Sequence, residues 1–285
     1  MSKEKIVFIT VNYKKTEDTI SFIESLASLE GFTACRIVIV DNESTNESKL
    51  LLEELKNKYP NKITCFYNNK NLFYLKGVAF ALNNLYSDKN KMPEWIIVCN
   101  NDIIIEQRDF VLRLLSLNYK DYGIIAPSII SSLTGKDQNP FLVHHFRKLD
   151  ILKQNIFLAN WYLASLIIIL RRPIKIIRSY LKPVSLSRET HRIYAPYGAF
   201  VIFSRVFFEK GGFLDTNFEL YGEEITIAEI AQNIGVPVIY YPYLKVIHKC
   251  HASTGINFSK NNFYYAKRAH KHFCAKYLDK KKDRF

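Results

Sequence analysis

The 285-residue sequence lacks several patterns that identify common classes of protein. It has no G-x-G-x-x-G segment and no G-x-x-x-x-G-K-[ST] loop, which argues against an NAD enzyme or a P-loop NTPase. Its five cysteines have no C-x-x-C spacing, so neither a disulfide scaffold nor a cysteine zinc site is expected. The first residues run into an apolar segment without a signal-peptide pattern, so we expect a cytoplasmic protein.

The composition is that of a globular chain, and its positive charge is unevenly distributed. Hydrophobic residues make up 48% and charged residues 24%, with a formal net charge of +13. Residues 144–192 carry a net charge of +8 and residues 260–284 carry +7, which leaves the rest of the chain at −2. Two basic segments on a nearly neutral body suggest that one anionic surface is contacted in one place.

Short apolar runs alternate with amphipathic segments along the first 130 residues. This alternation predicts βαβ units, and hence an α/β fold with a mostly parallel, Rossmann-like sheet flanked by helices. The pattern stops near residue 131 and a second organised stretch begins at Tyr194. The predicted strands are 6–11, 36–40, 63–67, 95–99, 124–130, 198–204 and 238–246.

Polar residues follow three of the predicted strands, at the edge where parallel sheets bind ligands. Asp41 could accept a hydrogen bond from a base or a ribose, or it could simply form an Asx turn. Asn100-Asn101-Asp102 could hold a hard cation such as Mg²⁺ or Mn²⁺, or it could be an ordinary polar turn.

Two further candidates lie in the second organised stretch. Glu223 and Glu224 open a predicted helix, where either one could act as a general base or simply be an acidic helix start. His248 ends a strand and could share a cation with Asp102, although most lone histidines are structural. His251 is a weaker candidate.

Taken together, these segments resemble the family 2 glycosyltransferases, which have the GT-A fold. The resemblance depends on VNYK, VDNEST, the NNKN…KG stretch that ends at Gly77, and NND in place of D-x-D. The block from Tyr197 to His248 resembles the acceptor-side signature of bacterial rhamnosyltransferase-like members, with Glu224 where the family has the Asp of G-E-D. Thr226 stands where a further acidic residue is common.

The resemblance implies an inverting transfer of a sugar from a UDP-, dTDP- or GDP-sugar to a hydroxyl of a glycan acceptor. It implies Glu224, beside Glu223, as the general base. It implies Asp102 and His248 as ligands of Mn²⁺ or Mg²⁺. The residues that it implies for the nucleotide sugar are Thr10, Asn12, Tyr13, Asp41, Asn42, Gly77, Asn100 and Asn101.

The resemblance also suggests how the chain is divided. We expect a nucleotide-sugar half in 1–130, a basic and apolar helical insertion in 131–193, an acceptor and catalytic half in 194–255, and a basic C-terminal helix or tail in 256–285. Within the insertion, Ile156–Leu170 is apolar and residues 171–182 have a basic amphipathic pattern. That pattern suits an anionic membrane surface, or else a solvated helix covering the acceptor side.

We therefore expect a bacterial enzyme of surface-polysaccharide synthesis, peripheral at the inner face of the cell membrane, with a lipid-linked acceptor. A nucleotidyltransferase that makes an activated sugar is an alternative, although VNYKKTED lacks the glycine-rich loop of that chemistry. A non-catalytic binder of nucleic acid or membrane is a second alternative. However, the sequence contains no recognised nucleic-acid-binding motif, and we expect no nucleic acid to bind. A transferase whose NND no longer holds metal is a third.

Overall fold

Nine strands form one sheet in the computed structural model, which describes residues 4–170, 189–250 and 259–278. The strands are β1 (Ile6–Asn12), β2 (Cys35–Asn42), β3 (Ile63–Asn68), β4 (Trp95–Asn100), β5 (Ile103–Ile104), β6 (Ile124–Ser131), β7 (His191–Ile193), β8 (Phe200–Ser204) and β9 (Val238–His248). The helices are α1 (Thr16–Ala27), α2 (Asn46–Lys58), α3 (Tyr74–Leu85), α4 (Phe110–Ser116), α5 (Lys148–Phe157), α6 (Trp161–Leu170), α7 (Arg205–Glu209), α8 (Glu223–Asn233) and α9 (Lys260–Phe273).

The sheet is mostly parallel, in the order β3-β2-β1-β4-β8-β6-β9-β5, and β7 pairs with β9. β8 runs antiparallel to both of its neighbours, whereas β6 and β9 are parallel to each other. The first residue of β8 therefore lies at the same edge of the sheet as the carboxyl ends of β1, β2 and β4. All of the predicted strands are present, and the predicted α/β fold is confirmed. The sequence analysis missed only the short strands β5 and β7.

Alternating side chains of the buried strands build one apolar core on each face of the sheet. In β1, Val7 and Ile9 face α3, α7, α8 and α9, while Ile6 and Phe8 face α1, α2 and α4. This period of two is what an extended backbone imposes. Both faces are covered by helices, which explains why the central strands are apolar throughout. Cys35 and Cys99 are fully buried free thiols in the second of these cores.

Helices α5 and α6 stand apart from the main cores. They meet at an angle of 109° and pack against α9 through a third, small cluster containing Leu158, Ala164 and Phe263. Within the described part of the chain, no single helix is long and apolar enough to cross a membrane, and this bent pair passes only when its two helices are taken together. The predicted amphipathic segment 171–182 and His251 lie outside the described residues.

Candidate active site

The carboxyl ends of the parallel strands carry an unusual concentration of asparagine, because β1, β2, β3 and β4 each end in that residue. In the sheet register Asn12 is paired with Asp41, and Asn42 with Asn68. Asn side chains can both donate and accept hydrogen bonds, so neighbouring strand ends can be linked laterally. The sheet therefore brings the polar clusters predicted from sequence to one edge.

A buried hydrogen-bond network connects three of these strand ends through α1. Asn101 Nδ2 donates to Thr19 Oγ1 at 3.0 Å, and Thr19 Oγ1 donates to Asn12 Oδ1 at 2.7 Å. Asn12 Nδ2 then donates to Asp41 Oδ1 at 2.7 Å. Asn12, Thr19 and Asp41 have no exposed surface, so the network holds the loops after β1, β2 and β4 in fixed relative positions.

A second network positions the loop before α3. Asn68 Nδ2 donates to Asn42 Oδ1 at 3.2 Å, and Asn42 Nδ2 donates to the carbonyl oxygen of Phe73 at 3.1 Å. Phe73 has a φ of 61°, a left-handed conformation that is strained for a bulky side chain. Gly77 lies one turn further along, where an added Cβ would come within 3.3 Å of Val11. Glycine at this position lets α3 pack closely on the sheet.

Left-handed backbone conformations concentrate at this edge of the sheet. Such conformations are costly for residues other than glycine, and they cluster at functional sites. Among the described residues, those at this edge with a positive φ are Lys14, Glu43, Phe73, Tyr221 and Cys250.

The remaining predicted donor residues differ in exposure. Thr10 is fully buried between Ile39 and Cys99, and its hydroxyl forms no hydrogen bond among the described residues. Tyr13 is half-buried, with the Lys14 ammonium 4.9 Å from its ring centroid. Asn100 and Asn101 are also half-buried. Tyr13 and Asn100 thus remain accessible to a ligand, whereas Thr10 does not.

Asp102 and His248 come together from opposite halves of the chain. The short strand β5 pairs with the end of β9, which places His248 Nε2 3.2 Å from Asp102 Oδ1. On its other side the ring bonds through Nδ1 to Gln138 Oε1 at 2.8 Å. Because that oxygen only accepts, Nδ1 carries the proton and Nε2 presents a lone pair in the neutral ring. Two acceptor atoms therefore face each other, an arrangement that a proton or a cation between them stabilises.

The acidic residues at the start of α8 lie against Gly198, just before β8. The Gly198 N–H donates to Glu224 Oε1 at 3.3 Å, and the Gly222 N–H donates to Glu223 Oε2 at 2.8 Å. Burial, and secondarily the charge of Glu223, raises the pKa of the Glu224 carboxyl from 4.5 to about 8. Burial also raises the pKa of Glu223. A carboxylate with a raised pKa is suited to accept a proton near neutral pH.

Two tyrosines that the sequence analysis did not select are influenced by the charges of the acidic groups. The Tyr74 hydroxyl donates to the carbonyl oxygen of Gly198 at 3.1 Å. Burial raises the pKa of Tyr74 well above 10, and the charges of Glu223, Glu224 and Asp102 raise it further. The same three carboxylates contribute to raising the pKa of Tyr197 to about 12, again after burial. Both tyrosines therefore remain protonated and lie close to the acidic groups.

Thr226, which stands where the family resemblance leads us to expect an acidic residue, faces the interior. It is fully buried and its hydroxyl donates to the carbonyl oxygen of Gly222 at 2.8 Å. Glu229 is instead the fully buried acidic residue of α8, and it accepts from the Tyr194 hydroxyl at 2.8 Å. Its Oε1 atom also lies 2.7 Å from His145 Nε2. This carboxylate connects α8 to His145, shortly before α5, and to Tyr194, directly after β7.

Solved structures share this fold at low sequence identity, which by itself shows the fold alone. GalNAc-T7, solved with UDP, GalNAc and Mn²⁺, superposes with a TM-score of 0.65 at 13% identity, covering 98% of this chain and 50% of its own. The mannosyltransferase PcManGT from Pyrobaculum calidifontis, solved with GDP-Man and Mn²⁺, gives 0.52 at 13% identity, with coverages of 89% and 59%. TarS from S. aureus gives 0.56 at 12% identity, with coverages of 86% and 36%.

The chain therefore spans about one third to three fifths of the length of these solved proteins. No curated protein matches the sequence. A family model described as Glycosyl transferase family 2 matches residues 6–174, which is more than half of the chain and includes every strand end from β1 to β4. The chain belongs to glycosyl transferase family 2 and has the GT-A fold.

Proposed function

We propose that this protein transfers a sugar from a nucleoside diphosphate sugar to a hydroxyl group of a glycan acceptor, with inversion at the anomeric carbon. The observation that carries the proposal is the grouping of Glu224, Asp102 and His248 at one edge of the sheet. It is supported by family membership and by structural neighbours that were solved with GDP-Man, or with UDP and GalNAc. The thermal-shift panel described below determines whether the nucleobase of the donor is uracil, thymine or guanine.

In this proposal Glu224 is the general base. The acceptor oxygen attacks the anomeric carbon, the new glycosidic bond forms on the face opposite the leaving group, and the bond to the diphosphate oxygen breaks. The acceptor proton passes to the Glu224 carboxylate and the nucleoside diphosphate departs. The raised pKa of Glu224 favours this transfer, because a more basic carboxylate has a larger driving force to take the proton.

Asp102 and His248 would hold a divalent cation such as Mn²⁺ or Mg²⁺. The residues fit such an ion, because a carboxylate oxygen and an imidazole nitrogen face each other at 3.2 Å and Gln138 orients the ring from behind. No group of three or more His, Cys, Asp or Glu side chains suited to a metal occurs in the described ranges, so the remaining ligands would come from the diphosphate and water. A bound cation would neutralise charge on the leaving diphosphate.

The asparagine networks would shape the donor pocket. Asn12, Asp41 and Asn101 hold the loops after β1, β2 and β4 together, and Asn42 holds the loop before α3. Tyr13 and Asn100 are the half-buried residues of this edge that a nucleoside could contact. We assign the buried members a positioning role rather than direct contact with the base or ribose.

A thermal-shift panel tests the donor and metal parts of the proposal. UDP-, dTDP- and GDP-sugars are each added with and without Mn²⁺, since a ligand that binds only the folded protein raises Tm by mass action. We expect one nucleotide class to raise Tm, with a larger shift when Mn²⁺ is present. Asp102→Ala should abolish the Mn²⁺-dependent part, whereas Asp121→Asn, an exposed change beside β6, should leave it unchanged. An undiminished metal effect in Asp102→Ala would contradict the metal assignment.

A further inference from the structure

Helices α5 and α6 expose a continuous apolar surface that nothing in the described chain covers. On an α-helix, Leu149, Leu152 and Ile156 fall within about 60° of one another, and the exposed residues of α6 fall within about 100°. Each of these side chains is between 50% and 76% exposed. We call this surface the hairpin face; its residues are Leu149, Leu152, Ile156, Tyr162, Leu166, Ile169 and Leu170.

The opposite side of the same two helices is already used for packing. Leu158 and Ala164 are buried against Phe263 of α9. Asn155 and Ala159 accept hydrogen bonds from α9, at 2.7 Å in each case, through His270 and Lys267. The hairpin face is therefore a second apolar surface on a hairpin that is already docked. Contiguous apolar patches of this kind on a folded protein usually mark a binding surface.

The surroundings of the hairpin face are cationic. Arg147, Lys148 and Lys153, in α5 or directly before it, are exposed. The two helices contain a single acidic residue, Asp150. A second copy of the chain would bring equal positive charges together at this surface. An anionic lipid surface matches both the apolar centre and the basic rim.

The dimensions of the hairpin favour insertion into one leaflet. Each helix has ten residues and is therefore about 15 Å long, against a hydrocarbon core of about 30 Å. The 109° angle between them prevents the pair from acting as one straight span. Two short amphipathic helices joined at such an angle can bury their apolar side chains below the headgroups and leave the lysines at headgroup level.

We propose that the hairpin face is a docking surface for an anionic membrane leaflet. The surface is connected to the candidate active site through α9. Arg268 of α9 lies 3.0 Å from Glu219, shortly before α8, and Tyr265 packs on Phe73, just before α3. If the proposed sugar transfer is correct, this arrangement presents the acidic residues of α8 to acceptors carried by lipid; the docking itself does not depend on that transfer.

Vesicle co-sedimentation of the full chain tests the proposal. The vesicles contain phosphatidylcholine alone or phosphatidylcholine with about 30% phosphatidylglycerol, at low salt and at 0.5 M NaCl. We expect sedimentation with the anionic vesicles that weakens at high salt, since exposed charges are screened. The double variant Leu152→Glu/Ile169→Glu should reduce the partition coefficient by about tenfold or more, because it replaces inserted apolar groups with anions.

The matched control is Leu50→Glu/Leu112→Glu, which adds the same charge at exposed leucines of α2 and α4. It should sediment like the unmodified protein, and circular dichroism should show that both double variants are folded. Equal sedimentation of the hairpin variant and the control, or no preference for anionic vesicles, would overturn the proposal. A dimer in solution that only the hairpin variant dissociates would instead identify a second copy of the chain as the occupant. None of these outcomes depends on a measurement of sugar transfer.

Discussion

At the level of single residues, the backbone of Gly198 connects two parts of the candidate active site. Its N–H donates to Glu224 and its carbonyl oxygen accepts from the Tyr74 hydroxyl. An ideal Cβ at this position would lie 2.9 Å from Glu223 Cγ and 3.0 Å from Glu224 Oε1. Glycine is therefore required here by the closeness of two acidic side chains, since its φ is not left-handed.

We expect Gly198→Ala to lower kcat by about 100-fold or more, since a displacement of about 1 Å in a catalytic group has an effect of this size. Donor affinity should change little, because the asparagine networks do not include Gly198. Steady-state kinetics together with donor binding by calorimetry would check this. Gly235→Asn is a suitable control, because Gly235 is left-handed and its Cβ would meet open space at the far end of α8. Unchanged kcat in Gly198→Ala would remove Glu224 from the proposed mechanism.

The raised pKa of Glu224 predicts opposite effects of one substitution on activity and stability. The pKa of the Glu224 carboxyl in the folded protein is about 8, which is above its value of 4.5 as a free group. The contribution of the Glu224 carboxyl to the free energy of unfolding is therefore fully present below pH 4.5 and is lost as the pH rises towards 8. Glu224→Gln should raise Tm by a few degrees at pH 8 and have little effect at pH 4.5, while it abolishes turnover.

The same shift predicts the pH dependence of the unmodified enzyme. The acid limb of kcat/KM should have an apparent pKa above the ordinary 4.5 of a glutamate, because the base must be ionised. Since Glu223 and Glu224 influence each other, that apparent value belongs to the pair. Rate measurements from pH 4 to 10 would check it. An acid limb at 4.5, or full activity in Glu224→Gln, would contradict the assignment of the base.

At the level of elements, α9 and the turn after it pack across one face of the sheet. Asp215, in the loop after α7, is buried and accepts from His272 at 2.7 Å, Lys276 at 2.8 Å and the Tyr277 hydroxyl at 2.7 Å. These hydrogen bonds outweigh the effect of burial and hold the pKa of Asp215 well below its ordinary value. One carboxylate thus anchors the end of the helix that also carries the α5–α6 hairpin.

We expect Asp215→Ala to reduce the free energy of unfolding by about 2–4 kcal/mol, because it leaves a buried hydroxyl, an imidazole and an ammonium group without their acceptor. Lys276→Ala should cost less, since it removes one contact from a partly exposed side chain. Urea unfolding would give both values, and hydrogen exchange would show increased opening of α9. Equal stability of the two variants would contradict the anchoring role of Asp215. Because the pKa of Asp215 is lowered, its contribution should be present above pH 3.8 and lost below it.

At the level of the whole molecule, the exposed basic residues near the α5–α6 hairpin are distinct from the acidic residues of the candidate active site. Exposed basic residues lie on α5, which carries part of the hairpin face, and on α9, whereas the candidate active site carries Asp102, Glu223 and Glu224. A positively charged protein of this kind also attracts nucleic acid non-specifically, and such binding falls steeply with salt. RNA binding at two salt concentrations therefore tests the nucleic-acid alternative.

We expect no saturable binding of a fluorescent 20-nucleotide RNA at micromolar protein and 0.15 M NaCl. The physical reason is that clustered lysines supply mainly the salt-sensitive part of the affinity. Fluorescence anisotropy would measure this, with the same titration at 0.02 M NaCl as the positive control for electrostatic attraction. Tight, saturable binding at the higher salt would favour the nucleic-acid alternative. The cytoplasmic and bacterial setting stays a prediction.

Much of the fold could be predicted because its information is local. Apolar runs such as Ile6–Asn12 and Trp95–Asn100 are buried on both faces, so they appear in the sequence as strands wherever they pair. The short strands β5 and β7 were missed because two or three residues carry no periodic pattern. The apolar spacing also predicts helices over 75–86 and 108–117, and the bounds of α3 and α4 differ from these by one or two residues, which is the normal variation at helix ends.

The candidate site was only partly predictable. Asp102, His248 and Glu224 could be selected because they stand at positions where the sequence resembles the motifs of family 2 glycosyltransferases. Tyr74 and Tyr197 could not, since an aromatic residue beside an apolar segment is ordinary core material. Gln138 has no sequence signal at all, because its role depends on the position of the His248 ring.

The sequence by itself determined the α/β class and the family, because strand and helix periodicity and the residues after each strand are properties of neighbouring positions. Only the tertiary structure decided which of these residues meet. Gly198 and Tyr74 are 124 positions apart, and Gln138 and His248 are 110 positions apart. These contacts exist because β8 enters the sheet antiparallel and β9 closes beside β6. Which apolar residues of α5 and α6 are exposed likewise depends on how α9 covers one side of the hairpin and leaves the other open.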